Sequence, residues 1–472
     1  MKSSESSKSF IREVDNESCQ SENNTDEDNP IVDYEDNEPF IKHQIPVDRY
    51  NIAFLVFYLL GINTLIPWNF FITADDYWKY KFREINESEP HISNLSRMDL
   101  LSKRTDLQAS FTAYLSVSSA IPNSLFLIIN AFISKKLSLS TRMIGSQGVI
   151  LAVFIVTTSF AKVNTDKYQN TFLIITLTSV AIVNAANAIF GGSLMGVAGK
   201  FSSKYITAMS SGQALGGIFT ALTEILSLWI GANPISSGLL YFTIGDVVLL
   251  LSLISYIILE REVFFKHHVI IGTEVTVQSE FSINNENNFS GESISYSSIL
   301  RKTWPYGLSV FLVFFFTISV YPAVTVLIES QGKGHGILWN DVYFVPVVTY
   351  LIFSCGDYVG RIISGMIIWP KKKPGLLVFL SLLRLLFIPA FLFCNAQPRH
   401  HLPVYIHNDV IYMVLTFVFA LTNGYFCNVS FILAPTVVDE NEREIAAAML
   451  GAFIGVGLTA GSTLSLLIVK LL

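Results

Sequence analysis

The chain has 472 residues, 51% hydrophobic and only 14% charged. Soluble domains carry about a quarter charged residues, so a water-soluble chain this apolar could not cover its surface. The formal net charge of -6 comes mainly from the first fifty residues, and no basic stripe points to nucleic acid.

Residues 1–49 hold Asp26-Glu27-Asp28 and Asp33-Tyr34-Glu35-Asp36 with few large apolar residues, and read as a disordered acidic cytosolic tail. Without an apolar core the segment is no cleaved signal peptide. Apolar stretches follow near 51–72, 110–133, 144–161, 172–199, 206–230, 238–259, 306–328, 342–369, 375–394, 408–435 and 445–470. Crossing ~30 Å of hydrocarbon takes roughly 20 helical residues, so these read as eleven transmembrane helices of an all-α membrane protein.

With the tail inside, the short inner loops hold Lys135, Lys136, Arg142, Lys200, Lys204, Lys371, Lys372, Lys373 and Arg443. The short outer loops hold only Lys162, Lys167, Lys333 and Arg399. This bias favours a cytosolic N-terminus. The sequons at Asn86 and Asn94 then fall in an outer loop, 73–109, as candidate glycosylation sites. A polar linker, 260–303, separates an N-lobe at 50–259 (spans 1–6) from a C-lobe at 304–472 (spans 7–11). A 6+5 division about a long inner linker suggests the two-lobed, alternating-access, major-facilitator-like arrangement, although the sequence shows no clear internal repeat.

Charges within spans are costly and normally face a cavity or a partner. Asp357 and Arg361, four apart, share a helix face. They could grip a vicinal diol such as ribose, or form a helix-internal ion pair that lets both charges tolerate the membrane. Trp68 and Asn69 follow Pro67; Trp68 could stack on a planar base or sit in the interfacial aromatic belt. The small residues at Gly191–Gly199 and Ser211–Gly217 read as helix-packing surfaces, with Gln213 either a helix–helix hydrogen bond or a pathway residue. Glu224 and Asp246 lack an in-helix cation and are either proton carriers or structural carboxylates. Arg384 is expected to pair with an acid or a helix end. The four cysteines, Cys19, Cys355, Cys394 and Cys427, form no CxxC pair, and all eight histidines lie outside the spans. No HExxH, GxSxG or Walker loop occurs, which argues against an enzyme or an ATP-driven pump and implies no cofactor.

The segment Gly61–Ala74, GINTLIPWNFFITA, resembles the first-helix signature of the equilibrative nucleoside transporters. Ser211-Gly212-Gln213, Asp357-Tyr358-Val359-Gly360-Arg361, Arg384–Pro389, Asn423-Gly424-Tyr425 and Gly455–Gly461 resemble later motifs in the same order, so the likeness spans 46–470. It implies facilitated alternating-access transport of purine and pyrimidine nucleosides and sometimes nucleobases. It also implies ribose contacts at Asp357 and Arg361, a base bordered by Leu65, Trp68 and Ile72, and a further cavity position at Leu458; Asn69, with its amide, and Gln213 join them as candidate substrate-binding residues. Partners implied are nucleosides and the lipid bilayer, with no obligate protein partner. Several positions depart from the pattern: Gly191 stands where relatives carry a base-contacting Gln, and Ala120 and Asn123 replace large apolar pocket residues. Gln213 replaces the Glu of the monoamine-carrying branch, which favours neutral nucleosides. Ala74–Trp78 and Tyr321-Pro322-Ala323 look closest to the lysosomal, acid-stimulated branch. A plasma-membrane location is favoured, with late endosome or lysosome, and proton-coupled transport, as alternatives.

Overall fold

Backbone polar groups inside hydrocarbon must find partners within their own segment, which makes long apolar runs helical. The computed structural model describes residues 46–83, 105–133, 136–198, 201, 203–231, 233–269, 296–399, 403–439 and 442–472. Tail residues 1–45, both outer-loop sequons (Asn86 and Asn94) and linker residues 270–295 lie outside the described residues. Among those described, 11 helices are long and apolar enough to span a bilayer, and they match the apolar stretches in order.

The principal helices are α1 (Ile52–Thr73), α2 (Asp75–Lys81), α3 (Asp106–Ile133), α4 (Leu139–Ala161), α5 (Gln169–Ala198), α6 (Ser203–Ile230) and α7 (Pro234–Arg261). After the linker come α8 (Tyr296–Val320), α9 (Trp339–Met366), α10 (Pro374–Leu392), α11 (Asp409–Leu433) and α12 (Arg443–Leu471). Asp48 starts α1. Its carboxylate accepts from the Ala53 and Phe54 amides (3.0 and 3.2 Å), which lack carbonyl partners at a helix start, and from the Tyr205 hydroxyl of α6 (3.0 Å). Within α1, Pro67 removes the amide that would bond the Asn63 carbonyl. Next to that gap, Asn187 of α5 donates to the Thr64 carbonyl (2.8 Å). In α10 the chain tightens into a 3-10 turn at Arg384–Leu386, where Pro389 cannot donate to the Leu385 carbonyl.

Two connections differ from the sequence reading. The outer loop 73–109 begins with a helix, α2, whose four charges in seven residues hide it from an apolar scan. Its acids come first and its lysines last, as the helix dipole favours. Tyr77 and Trp78 turn inward, and Trp78 Nε1 donates to the Phe71 carbonyl (2.8 Å). The linker is also shorter than 260–303, because α7 runs to Arg261 and α8 begins at Tyr296.

The helices form two lobes, α1–α7 and α8–α12. In the first, α1 packs on α6 and α3 on α5; in the second, α8 packs on α12 and α9 on α11. In both lobes the first span therefore pairs with the fifth and the second with the fourth, a repeat in packing where none is visible in sequence. The lobes meet along α3–α12 and α6–α9. Lipid supplies no hydrophobic force between helices, so close contact and hydrogen bonds hold them together. A Cβ at Gly61 would collide with the Met209 backbone, one at Gly212 with Tyr58, and one at Gly424 with the Asp357 carbonyl. The packing reading fails at Gly191 and Gly196, whose added Cβ atoms would meet nothing within 4 Å.

The apolar core crosses the lobe boundary at one end. Where α1 terminates, Ile72, Ala109, Ala113 and Ala221 join a cluster with Val324, Phe344, Tyr350 and Phe419 of the second lobe. Where α1 begins, Phe57, Phe190 and Tyr256 belong to a first-lobe core, and Val310, Leu377 and Phe426 to a separate second-lobe core. The lobes are closed together at the C-terminal end of α1 and keep distinct cores at its N-terminal end.

Candidate site between the lobes

Helical spacing places Ser354, Tyr358 and Arg361 in one stripe on α9, with Asp357 beside it. Gly356 and Gly360 seat the other side of the helix against α11. Arg361 Nε donates to Asp357 Oδ2 (2.9 Å), and Asn423 Nδ2 of α11 donates to Asp357 Oδ1 (2.7 Å). Both carboxylate oxygens are thereby oriented, and each retains acceptor capacity. The ion pair and the solute grip are compatible, because the pair engages only Nε. Both Nη groups of Arg361 are without a hydrogen-bond partner among the described residues.

Behind Asp357 lies Arg384, 1% exposed. The expected pairing with an acid or a helix end is not what the fold provides. Arg384 donates to the Phe419 carbonyl (2.9 Å), to Thr422 Oγ1 and to Thr317 Oγ1 (2.8 Å), and its guanidinium lies 4.6 Å from the Phe419 ring centroid. Thr317 Oγ1 lies 2.7 Å from Asn423 Oδ1 and the same distance from the Val313 carbonyl. A single hydrogen-bonded path thus connects Arg384 to Asp357. The sequence singles out Arg384 and Asn423 as motif residues but gives no sign of Thr317 as the link, since partners on separate spans have no fixed spacing.

The facing wall comes from α1 and α6. Leu65 Cβ is 3.4 Å from where a Cβ would stand at Gly216. At Gly217 an added Cβ would lie 2.8 Å from Ser354 Oγ of α9 and 3.8 Å from Asn69 Nδ2, so these three positions converge across the lobe boundary. Gln213 is one turn from Gly217 on the same face of α6. The side chains of Asn69 and Gln213 make no protein hydrogen bond among the described residues, and neither is fully buried. Trp68 packs against the cluster that joins the lobes, whereas Ile72 is 2% exposed inside it, its carbonyl accepting from the Tyr350 hydroxyl of α9. Toward the other end, Tyr58 of α1 and Tyr358 of α9 lie near each other across the lobe boundary. Leu458 lies half-buried on α12, beside Gly457, which approaches the Phe311 carbonyl of α8.

The remaining charges lie elsewhere. Asp246 accepts from Thr158 Oγ1 (2.7 Å) where α7 meets α4, within the first lobe. Glu224 lines a cleft at the closed end with Asp75, Asp76 and Lys79 of α2 and Glu329, Lys333 and Asp341 of the second lobe. Gly191 lies one turn from Asn187, on the side of α5 that faces α1, with open space before it. Among the described residues no group of His, Cys, Asp and Glu could hold a metal ion.

Two lobes of repeated pairing, with hydrogen-bonding groups left uncommitted between them, give a multi-pass membrane protein the architecture of the major-facilitator type. The solved structures agree on the fold: a D-xylose–proton symporter matches with TM-score 0.58 at 12% identity, covering 89% of each chain. A POT family transporter crystallised with 5-aminolevulinic acid gives 0.55 at 11%, covering 89% and 90%. The Nucleoside transporter family model matches residues 177–470. Rat equilibrative nucleoside transporter 2 (Rattus norvegicus) is 32% identical, covering 90% of this chain and 99% of the relative. Human equilibrative nucleoside transporter 1 (Homo sapiens) is 31% identical over 90% and 98%, and rat equilibrative nucleoside transporter 3 is 30% identical over 90% of each. The chain belongs to the equilibrative nucleoside transporter family, a family of carriers rather than enzymes.

Proposed function

We propose that this protein carries purine and pyrimidine nucleosides down their gradients by alternating access, binding them between the lobes. The observation that carries the reading is the Asp357–Arg361 pair. It leaves two guanidinium Nη groups and a pre-oriented carboxylate free to meet a diol, opposite the uncommitted amides of Asn69 and Gln213. Asp357 accepts from the ribose hydroxyls, Arg361 donates to them, and Trp68 and Leu65 border the base, with Ile72 buried in the closed end beyond them and Leu458 at the α12 wall. The open space before Gly191 supports a binding region that extends toward α5. The separation of the cores at the start of α1 supports a state open at that end, and the Lys/Arg bias supports a cytosolic side there. The plasma membrane is the proposed location, to be checked by imaging a tagged full-length chain against endolysosomal markers.

The test is uptake of labelled uridine and adenosine by cells expressing the full chain. Asp357→Asn and Arg361→Ala each lower uptake by about tenfold or more, as expected for losing hydrogen bonds to a charged group, while surface abundance persists. Unchanged uptake in both variants overturns the site.

A further inference from the structure

We propose that Arg384 and Thr317 are positioning residues for the ribose site, acting on the substrate only through Asn423 and Asp357. The proposal rests on the binding reading above and adds a chain of named donors behind it. Arg384 Nη2 donates to Thr317 Oγ1 (2.8 Å), Thr317 Oγ1 to Asn423 Oδ1 (2.7 Å), and Asn423 Nδ2 to Asp357 Oδ1 (2.7 Å). When the Thr317 hydrogen goes to Asn423 rather than to the Val313 carbonyl, also 2.7 Å away, every hydrogen in the series points toward the carboxylate and each bond polarises the next in the same sense.

Asn423 could present either end of its amide to Asp357. An oxygen so placed would repel the carboxylate, while the NH2 holds it. The Thr317 hydroxyl favours the second. It receives a hydrogen from Arg384, and its own single hydrogen has two acceptors at 2.7 Å, the Val313 carbonyl and Asn423 Oδ1; with the carboxylate holding the NH2 end of the amide, the oxygen faces the hydroxyl and competes for that hydrogen. Arg384, charged, cannot accept. It is anchored on the Phe419 carbonyl and Thr422 of α11, the helix that carries Asn423 and whose Gly424 seats the Asp357 backbone. The path draws on α8, α9, α10 and α11, so the carboxylate is registered against four helices of the second lobe. Arg361 alone would leave Asp357 Oδ1 without a hydrogen-bond donor.

Thr317→Val keeps the shape and removes the hydroxyl; Thr317→Ser keeps the hydroxyl. The experiment compares saturation kinetics for uridine and for 2′,3′-dideoxyuridine, which lacks the diol. In Thr317→Val, KM for uridine rises about fivefold or more while KM for the dideoxy compound and both Vmax values stay within about twofold, and Thr317→Ser behaves as wild type. Should Thr317→Val fail to reach the membrane, Thr317→Ala carries the same prediction, and ligand-induced thermal shifts on purified protein read the same ratio. A uridine-to-dideoxyuridine KM ratio unchanged from wild type in Thr317→Val overturns the positioning role alone. Wild-type protein that does not distinguish the two substrates overturns the ribose reading and the proposal with it.

Discussion

Asp357 takes a donor on each oxygen, and both donors come from side chains whose other contacts are within the second lobe. An ionised carboxylate in a bilayer interior is tolerated on such terms, and the same terms fix its direction. This much is half-legible in the sequence. The i, i+4 spacing announces that Asp357 and Arg361 meet, but Asn423, Thr317 and Arg384 sit on other spans, where only the fold can bring them together. Gly191 is the opposite case. The sequence shows a glycine in a run of small residues, which reads as helix packing, yet no neighbour stands within 4 Å of its Cβ position. Gly191→Gln should therefore fold normally and reach the α1-facing side of α5 with an amide. A new hydrogen bond to the base of about 0.5–1.5 kcal/mol lowers KM for uridine roughly two- to tenfold at unchanged surface abundance, measured by saturation uptake.

At the scale of elements, α2 ties down the closed end of the first lobe. Lys81 Nζ donates to the Phe160 and Val163 carbonyls (3.2 and 2.7 Å), at and just beyond the C-terminal end of α4. Burial lowers its pKa to about 8, with Asp166 opposing the shift and Arg83 adding to it. Unfolded, the amine titrates near 10.5, so between the two values the unfolded chain binds the extra proton. Folding stability contributed by this group therefore rises as pH climbs from about 8 toward 10.5, and is lost as pH falls through 8. The unfolding temperature of purified wild type, relative to that of Lys81→Met, should increase over that window; a flat difference would remove Lys81 from the account. A scan for apolar periodicity passes over α2 because its inward face is only Tyr77, Trp78 and the stem of Lys81. The eleven spans, by contrast, are readable throughout, since nothing but length and apolarity is needed to define them.

For the whole molecule, the repeated pairing of first with fifth and second with fourth spans places α3, α6, α9 and α12 along the lobe boundary. Sequence could not show this, because packing in lipid depends on small residues and side-chain shape rather than on a conserved string. The closed end depends on the apolar cluster around Ile72 and Tyr350 and on the bond from the Tyr350 hydroxyl to the Ile72 carbonyl. Tyr350→Phe keeps the packing and deletes that bond. A loss of about 0.5–1.5 kcal/mol favours opening at this end, so labelling of Ser354→Cys by an impermeant thiol reagent from that side should quicken roughly two- to tenfold.

The most direct measurement is entry of labelled uridine into liposomes holding the purified full-length protein, with no ion gradient imposed. Uridine should equilibrate to the external concentration, unlabelled uridine inside should accelerate entry, and Asp357→Asn should abolish both effects. Entry no faster than into protein-free liposomes, or entry that requires an imposed proton gradient, would contradict the proposed function.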